Sequence, residues 1–191
     1  MITFAEYRQS IFRFCHNSIK EFKNEKPDFT IATIGIYCDP FLGEILINFD
    51  SPTNSENFVK EFLDQGPGWY GEDQHGKYNN HCPDFEYFGY KKMEIPEWKD
   101  EFEISDQIVI KHNLKKMEID LSQVNNEVVY KAFYDFLNTI VQDLINELSS
   151  DEDFKDLNIA PPLRVGLQIA DSEFYNKYWP VQLKQENQLA K

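Results

Sequence analysis

Apolar residues recur every three or four positions along two long stretches of the chain. The stripe over about residues 3–25 predicts an amphipathic helix, and the wider stripe over 127–148 predicts a second helix that is largely buried. A shorter stripe predicts a helix over 55–65 with Ser55 as its cap, and Pro96 is typical of the first turn of a further helix. The sequence therefore predicts four helices, two of them long enough to cover a sheet.

Strands are predicted where apolar residues alternate or β-branched residues cluster. The segments 30–38 and 44–49 flank a short turn and predict an antiparallel hairpin. The segment 163–169 alternates strictly between apolar and other residues, which is typical of a strand with one buried face. Shorter alternations predict further strands over 84–90 and 117–121.

The order of these elements favours an α+β fold in which helices pack on one face of a mostly antiparallel sheet. The chain has 191 residues, a length that fits one domain. We place this single domain over residues 1–183 and expect residues 184–191, which are mainly polar, to form a tail.

Charge excludes several function classes. The chain has 19 basic and 33 acidic residues, for a formal net charge of −14. A nucleic-acid binder needs a basic surface, and a protein held on anionic lipid needs basic clusters, so neither partner is expected. A strongly acidic protein associates fastest with basic partners, so the composition favours a basic protein as the binding partner.

The cysteines and the hydrophobic segments indicate the compartment. The three cysteines are odd in number and widely spaced, which is typical of a reduced chain and not of a disulfide framework. The first residues carry charges and lack the apolar core of a signal peptide, and no apolar run is long enough to span a membrane. We therefore expect a cytoplasmic protein without membrane segments.

Periodicity disappears between Gly66 and Pro83, where half of the eight glycines of the chain lie. Loops of this length inside a domain are uncommon and often functional. Their aromatic residues are typical anchors of protein interfaces, although loop aromatics also pin a loop onto its own core. The residues predicted to bind a partner are Trp69, Tyr70, Glu72, Asp73 and Tyr78.

Weaker candidates for metal binding lie in the same segment. His75, His81 and Cys82 carry ligand types that zinc prefers, and Asp73 or Asp84 could supply a fourth. Their spacing matches no standard zinc motif, so solvated polar side chains are the favoured interpretation and we expect neither a metal nor another cofactor. Cys15 and His16 are adjacent, but Cys15 lies on the apolar stripe of the first helix and is expected in the core.

Several segments resemble a bacterial family, the domain of unknown function numbered 4303. They are the N-terminal amphipathic helix, Phe29–Tyr37, Asn48–Asn54, Pro83–Phe88 and the long second helix, and the resemblance covers roughly residues 1–170. The family has no assigned enzymatic activity, and its members are similar to small acidic immunity proteins of bacterial toxin systems. The resemblance implies no catalytic residues for this chain.

Charge and resemblance together predict a protein-binding module, such as a toxin-neutralising immunity protein, and not an enzyme. A nuclease toxin must be basic to hold phosphates, and an acidic partner can cover that surface. The alternative is a hydrolase that uses carboxylates or a metal in the 66–84 loop. The sequence leaves the oligomeric state open.

Overall fold

A computed structural model describes residues 4–40, 42–65, 78–95, 126–150, 154–170, 172 and 176–181. Its helices are α1 (Phe4–Glu25), α2 (Pro52–Gln65) and α3 (Asn126–Ser150). Its strands are β1 (Ile31–Asp39), β2 (Glu44–Asp50), β3 (Tyr87–Glu94), β4 (Ile159–Ile169) and β5 (Asn176–Pro180), and a 3₁₀ turn covers Cys82–Asp84. None of the helices described here is long and apolar enough to cross a membrane.

The five strands form one sheet in the order β3-β2-β1-β4-β5. β1 and β2 are antiparallel because only a short turn joins them, and Gly43 has the positive φ of 64° that such a turn requires. β1 and β4 are parallel, which the long connection between them permits, and the other strand pairs are antiparallel. The α+β class and the mostly antiparallel sheet are therefore confirmed.

The main apolar core lies between one face of this sheet and helices α1 and α3. The alternating apolar positions of three strands are buried there: Ile34, Ile36 and Cys38 of β1, Ile45, Ile47 and Phe49 of β2, and Leu163, Val165, Leu167 and Ile169 of β4. Most of the apolar stripe of α1 is buried against them. Phe22 of α1 stacks on Phe49 of β2 with ring centroids 3.8 Å apart, and Cys15 is fully buried as predicted. Arg8 and Asp143 form an ion pair that joins α1 to α3. The helical packing on one face agrees with the prediction.

Helix α2 begins three residues earlier than predicted, at Pro52. Ser51 and not Ser55 caps it, since the backbone N–H of Asn54 donates to Ser51 Oγ over 3.1 Å. Proline is well suited to the first helical position because its missing N–H would have no partner there. Ser55 lies fully buried inside the helix and accepts a hydrogen bond from the backbone N–H of Asn79.

The strands in the structure also differ from the predicted ones. β3 covers Tyr87–Glu94 instead of 84–90, and β4 starts at Ile159, before a Pro161–Pro162 cis peptide bond. β5 was not predicted. The helix predicted at Pro96 and the strand predicted over 117–121 lie outside the described residues, as does the tail.

Candidate functional site

The sheet face opposite the helical core is polar, and much of it is buried. Cross-strand pairing puts Asp50, Thr33 and Arg164 in one row, because Thr33 pairs with Asp50 of β2 and with Arg164 of β4. Thr33 and Asp50 are fully buried, and Arg164 is 9% exposed. Such residue types are seldom buried without partners, so the row marks a specialised part of the fold.

Residues 78–86, which we call the strap, cover this polar face. The strap lies so close to the sheet that a Cβ on Gly35 would come within 2.5 Å of Cys82 Sγ. A Cβ on Gly166 would come within 2.0 Å of the Tyr178 ring, which lies across β4 beside the strap. Glycine at these two positions therefore allows the strap and Tyr178 to pack against the sheet.

Side chains of the sheet hold the strap by hydrogen bonds to its backbone. The Cys82 N–H donates to Gln168 Oε1 over 2.8 Å, and Asn176 Nδ2 donates to the Asn80 carbonyl oxygen over 2.6 Å. Cys82 Sγ also lies 3.2 Å from the Tyr178 hydroxyl. The buried polar face thus satisfies the backbone groups of a segment that has no regular ladder of its own.

Arg164 is enclosed by two aromatic rings. Its guanidinium carbon lies 4.7 Å from the ring centroid of Tyr78 and 4.9 Å from that of Tyr178. Its Nη2 donates to Asn80 Oδ1. Burial lowers the pKa of Arg164, and Tyr178, Tyr78 and Asp50 oppose that effect. A permanently charged group is therefore kept inside the protein by π faces and one amide.

Asp50 has a fully buried carboxylate with a raised pKa. Burial raises its pKa from 3.8 to about 6, although hydrogen bonds from Asn54 and from the backbone of Glu86 and Ser51 oppose the change. Asn54 Nδ2 donates to Asp50 Oδ1 over 2.7 Å, and the Glu86 N–H donates to the same oxygen over 3.2 Å. Asp50 thus links β2, α2 and the end of the strap.

The structure describes only one of the five residues predicted to bind a partner. Tyr78 is half-buried on Arg164, so its ring closes the polar face from outside. Trp69, Tyr70, Glu72 and Asp73 lie outside the described residues, and their role stays a prediction.

Two of the metal candidates are described, and their side chains have different surroundings. His81 Nδ1 lies 2.6 Å from Asp84 Oδ2, and both side chains are about half exposed. Cys82 is fully buried, and burial raises the pKa of its thiol to about 12. Within the described residues no group of three or more His, Cys, Asp or Glu side chains could hold a metal ion, and His75 lies outside them.

The hydrolase alternative predicts carboxylates or a metal in the 66–84 loop, and the described part of that loop contains the close His81–Asp84 pair. The adjacent thiol cannot serve as its nucleophile, since Cys82 is turned toward the sheet and keeps its proton at neutral pH. Residues 66–77 lie outside the described residues, so the hydrolase alternative stays a prediction.

Two large apolar side chains of the described part are exposed. Leu42 in the β1–β2 turn is 55% exposed, and Phe88 in β3 is 43% exposed. The Phe88 ring meets the Tyr37 ring edge-on with centroids 5.6 Å apart. Phe88 lies two residues after the end of the strap, in which Asp84 and Glu86 are exposed.

Sequence reasoning missed Thr33, Asp50 and Arg164. One signal was available, because Arg164 and Gln168 occupy the intervening positions of the alternating strand 163–169. Alternation alone does not tell whether the second face meets solvent or another part of the chain.

Comparison of the chain with protein-family models, with curated proteins and with solved structures finds no match. The resemblance to the family numbered 4303 stays a prediction.

Proposed function

We propose that this chain is a protein-binding module that recognises a basic protein, of the kind that neutralises a bacterial toxin. The observation that carries the proposal is the formal net charge of −14. A net charge of this size attracts a basic partner over long range, and it repels nucleic acid and anionic lipid.

The proposed contact surface is the outer side of the strap together with Phe88. Aromatic rings are enriched at protein interfaces, and exposed acidic side chains attract and orient a basic partner. Phe88 is 43% exposed and rests on Tyr37, so it is held in place before a partner arrives. Trp69 and Tyr70, which the sequence also predicts to bind a partner, precede the strap in the sequence and lie outside the described residues.

The test is a binding titration between this chain and the protein encoded by the neighbouring gene. We expect Phe88→Ala to weaken binding about thirtyfold or more, since a central aromatic anchor contributes about 2 kcal/mol or more. The matched control is Phe12→Ala, because Phe12 lies on α1 on the opposite side of the sheet. Circular dichroism checks that both variants are folded.

Two results would contradict the proposal. If the protein encoded by the neighbouring gene does not bind the wild-type chain, the proposal that this chain neutralises a toxin is contradicted. Equal binding of wild type and Phe88→Ala would show that the contact surface lies elsewhere, and stronger loss in Phe12→Ala would place it on the helical side.

A further inference from the structure

Three buried polar atoms of the polar row have no hydrogen-bond partner in the part of the chain that the structure describes. They are Thr33 Oγ1, Asp50 Oδ2 and Arg164 Nη1. The other terminal atoms of the two charged side chains are engaged, since Asp50 Oδ1 accepts from Asn54 and Arg164 Nη2 donates to Asn80. Each charged side chain therefore has one hydrogen-bonding atom left over in the interior.

These three atoms belong to neighbours in one row. Thr33 pairs with Asp50 on one side and with Arg164 on the other, so all three side chains leave the same sheet face. Adjacent strands are about 4.8 Å apart, which puts the backbones of the outer two residues about 10 Å apart with Thr33 between them. The row therefore presents an acceptor, a hydroxyl and a donor, in that order.

We propose that this row is a closed hydration site in which ordered water bridges Asp50 Oδ2, Thr33 Oγ1 and Arg164 Nη1. Water donates to the carboxylate and accepts from the guanidinium, and the hydroxyl can supply a further bond. Buried water in proteins typically makes about three such bonds to polar groups that lack other partners. The site thereby joins β2, β1 and β4 across the face that the strap covers.

The charges of Asp50 and Arg164 and the closure of the row to solvent favour water over an ion or a larger ligand. An anion on Arg164 would lie beside the Asp50 carboxylate, and a metal cation on Asp50 would lie beside the guanidinium, so either ion meets a like charge. A neutral molecule that has both a hydrogen-bond donor and an acceptor is repelled by neither charged side chain. All three atoms are closed to solvent, so the occupant has to be small.

A high-resolution crystal structure of the wild-type chain, grown with bromide, tests the proposal directly. We expect density for water at hydrogen-bond distance, about 2.7 to 3.2 Å, from Thr33 Oγ1 and from at least one of the two charged neighbours. An anomalous bromide peak in the row would overturn the proposal in favour of an anion site. An unfilled row, or direct contact between Asp50 and Arg164, would overturn it as well.

Solution measurements on two variants provide an independent check. Magnetic relaxation dispersion of the water nuclei detects water that stays inside a protein. Thr33→Val is expected to lower the internal-water amplitude, because valine has the shape of threonine without its hydroxyl, whereas Thr33→Ser keeps the hydroxyl and the amplitude. Equal amplitudes in wild type and Thr33→Val would show that Thr33 does not hold the water. Neither measurement involves the protein partner, so this proposal can fail independently of the proposed function.

Discussion

Replacement of Asp50 by asparagine should change how the stability of the chain depends on pH. Asparagine keeps the shape of the side chain and an oxygen that accepts from Asn54 and Glu86, but it cannot ionise. Burial raises the pKa of Asp50 from 3.8 to about 6, so the native state holds this proton more tightly than the unfolded state. The ionised carboxylate therefore destabilises the native state relative to the protonated one.

The size and the pH window of the effect follow from this pKa. The change from 3.8 to about 6 corresponds to about 3 kcal/mol at about 1.4 kcal/mol per pH unit. Stability from the bound proton is complete below the unfolded pKa and is lost as the pH rises through the folded pKa. Between about pH 4 and about pH 7.5, we expect the free energy of unfolding of Asp50→Asn to rise relative to wild type by about 2 kcal/mol.

Urea unfolding across this pH range measures the difference between the two proteins. Groups that titrate in the same way in both proteins cancel in the difference between their stability curves. Glu56→Gln is the matched control, because Glu56 is an exposed carboxylate on α2 and this variant removes one acidic charge from the surface instead of the interior. If the difference between Asp50→Asn and wild type does not change with pH, or changes with the opposite sign, the pKa of Asp50 is not raised in the native state.

Three further changes test the strap and its surroundings. Gly166→Ala puts a Cβ within 2.0 Å of the Tyr178 ring, and we expect it to lower the free energy of unfolding by about 1–3 kcal/mol; no loss would mean that Tyr178 moves freely. Ser51→Ala removes the cap of α2 and should cost about 1 kcal/mol in the same assay, and a neutral result would place the cap elsewhere. All three cysteine thiols are buried, and burial raises their pKa values, so a thiol reagent at mildly alkaline pH should label them only after unfolding; rapid labelling of the native chain would contradict this burial.

The apolar half of the fold could be predicted from the sequence, because periodicity reports it directly. The apolar stripe of α1 and the alternation in β1, β2 and β4 predict residues that form the core. β5 was missed because five residues with a terminal proline carry little pattern.

The polar half could not be predicted, for a different physical reason. Thr33, Asp50 and Arg164 are residue types that usually face solvent, and their burial depends on a strap that comes from a distant part of the sequence. The strap has no periodicity because its backbone is held by individual side chains such as Gln168. Gly35 and Gly166 are the sequence positions that allow this close approach, but a glycine in a strand has several explanations.

The proposed role of the acidic charge is to attract a basic protein partner. The most direct test is the association rate constant with the protein encoded by the neighbouring gene, measured by stopped flow at low salt and at about 1 M salt, where the Debye length falls to about 3 Å. We expect the association rate constant to fall steeply, by about tenfold or more, and the dissociation rate constant to change less. An association rate that is the same at both salt concentrations would contradict the claim.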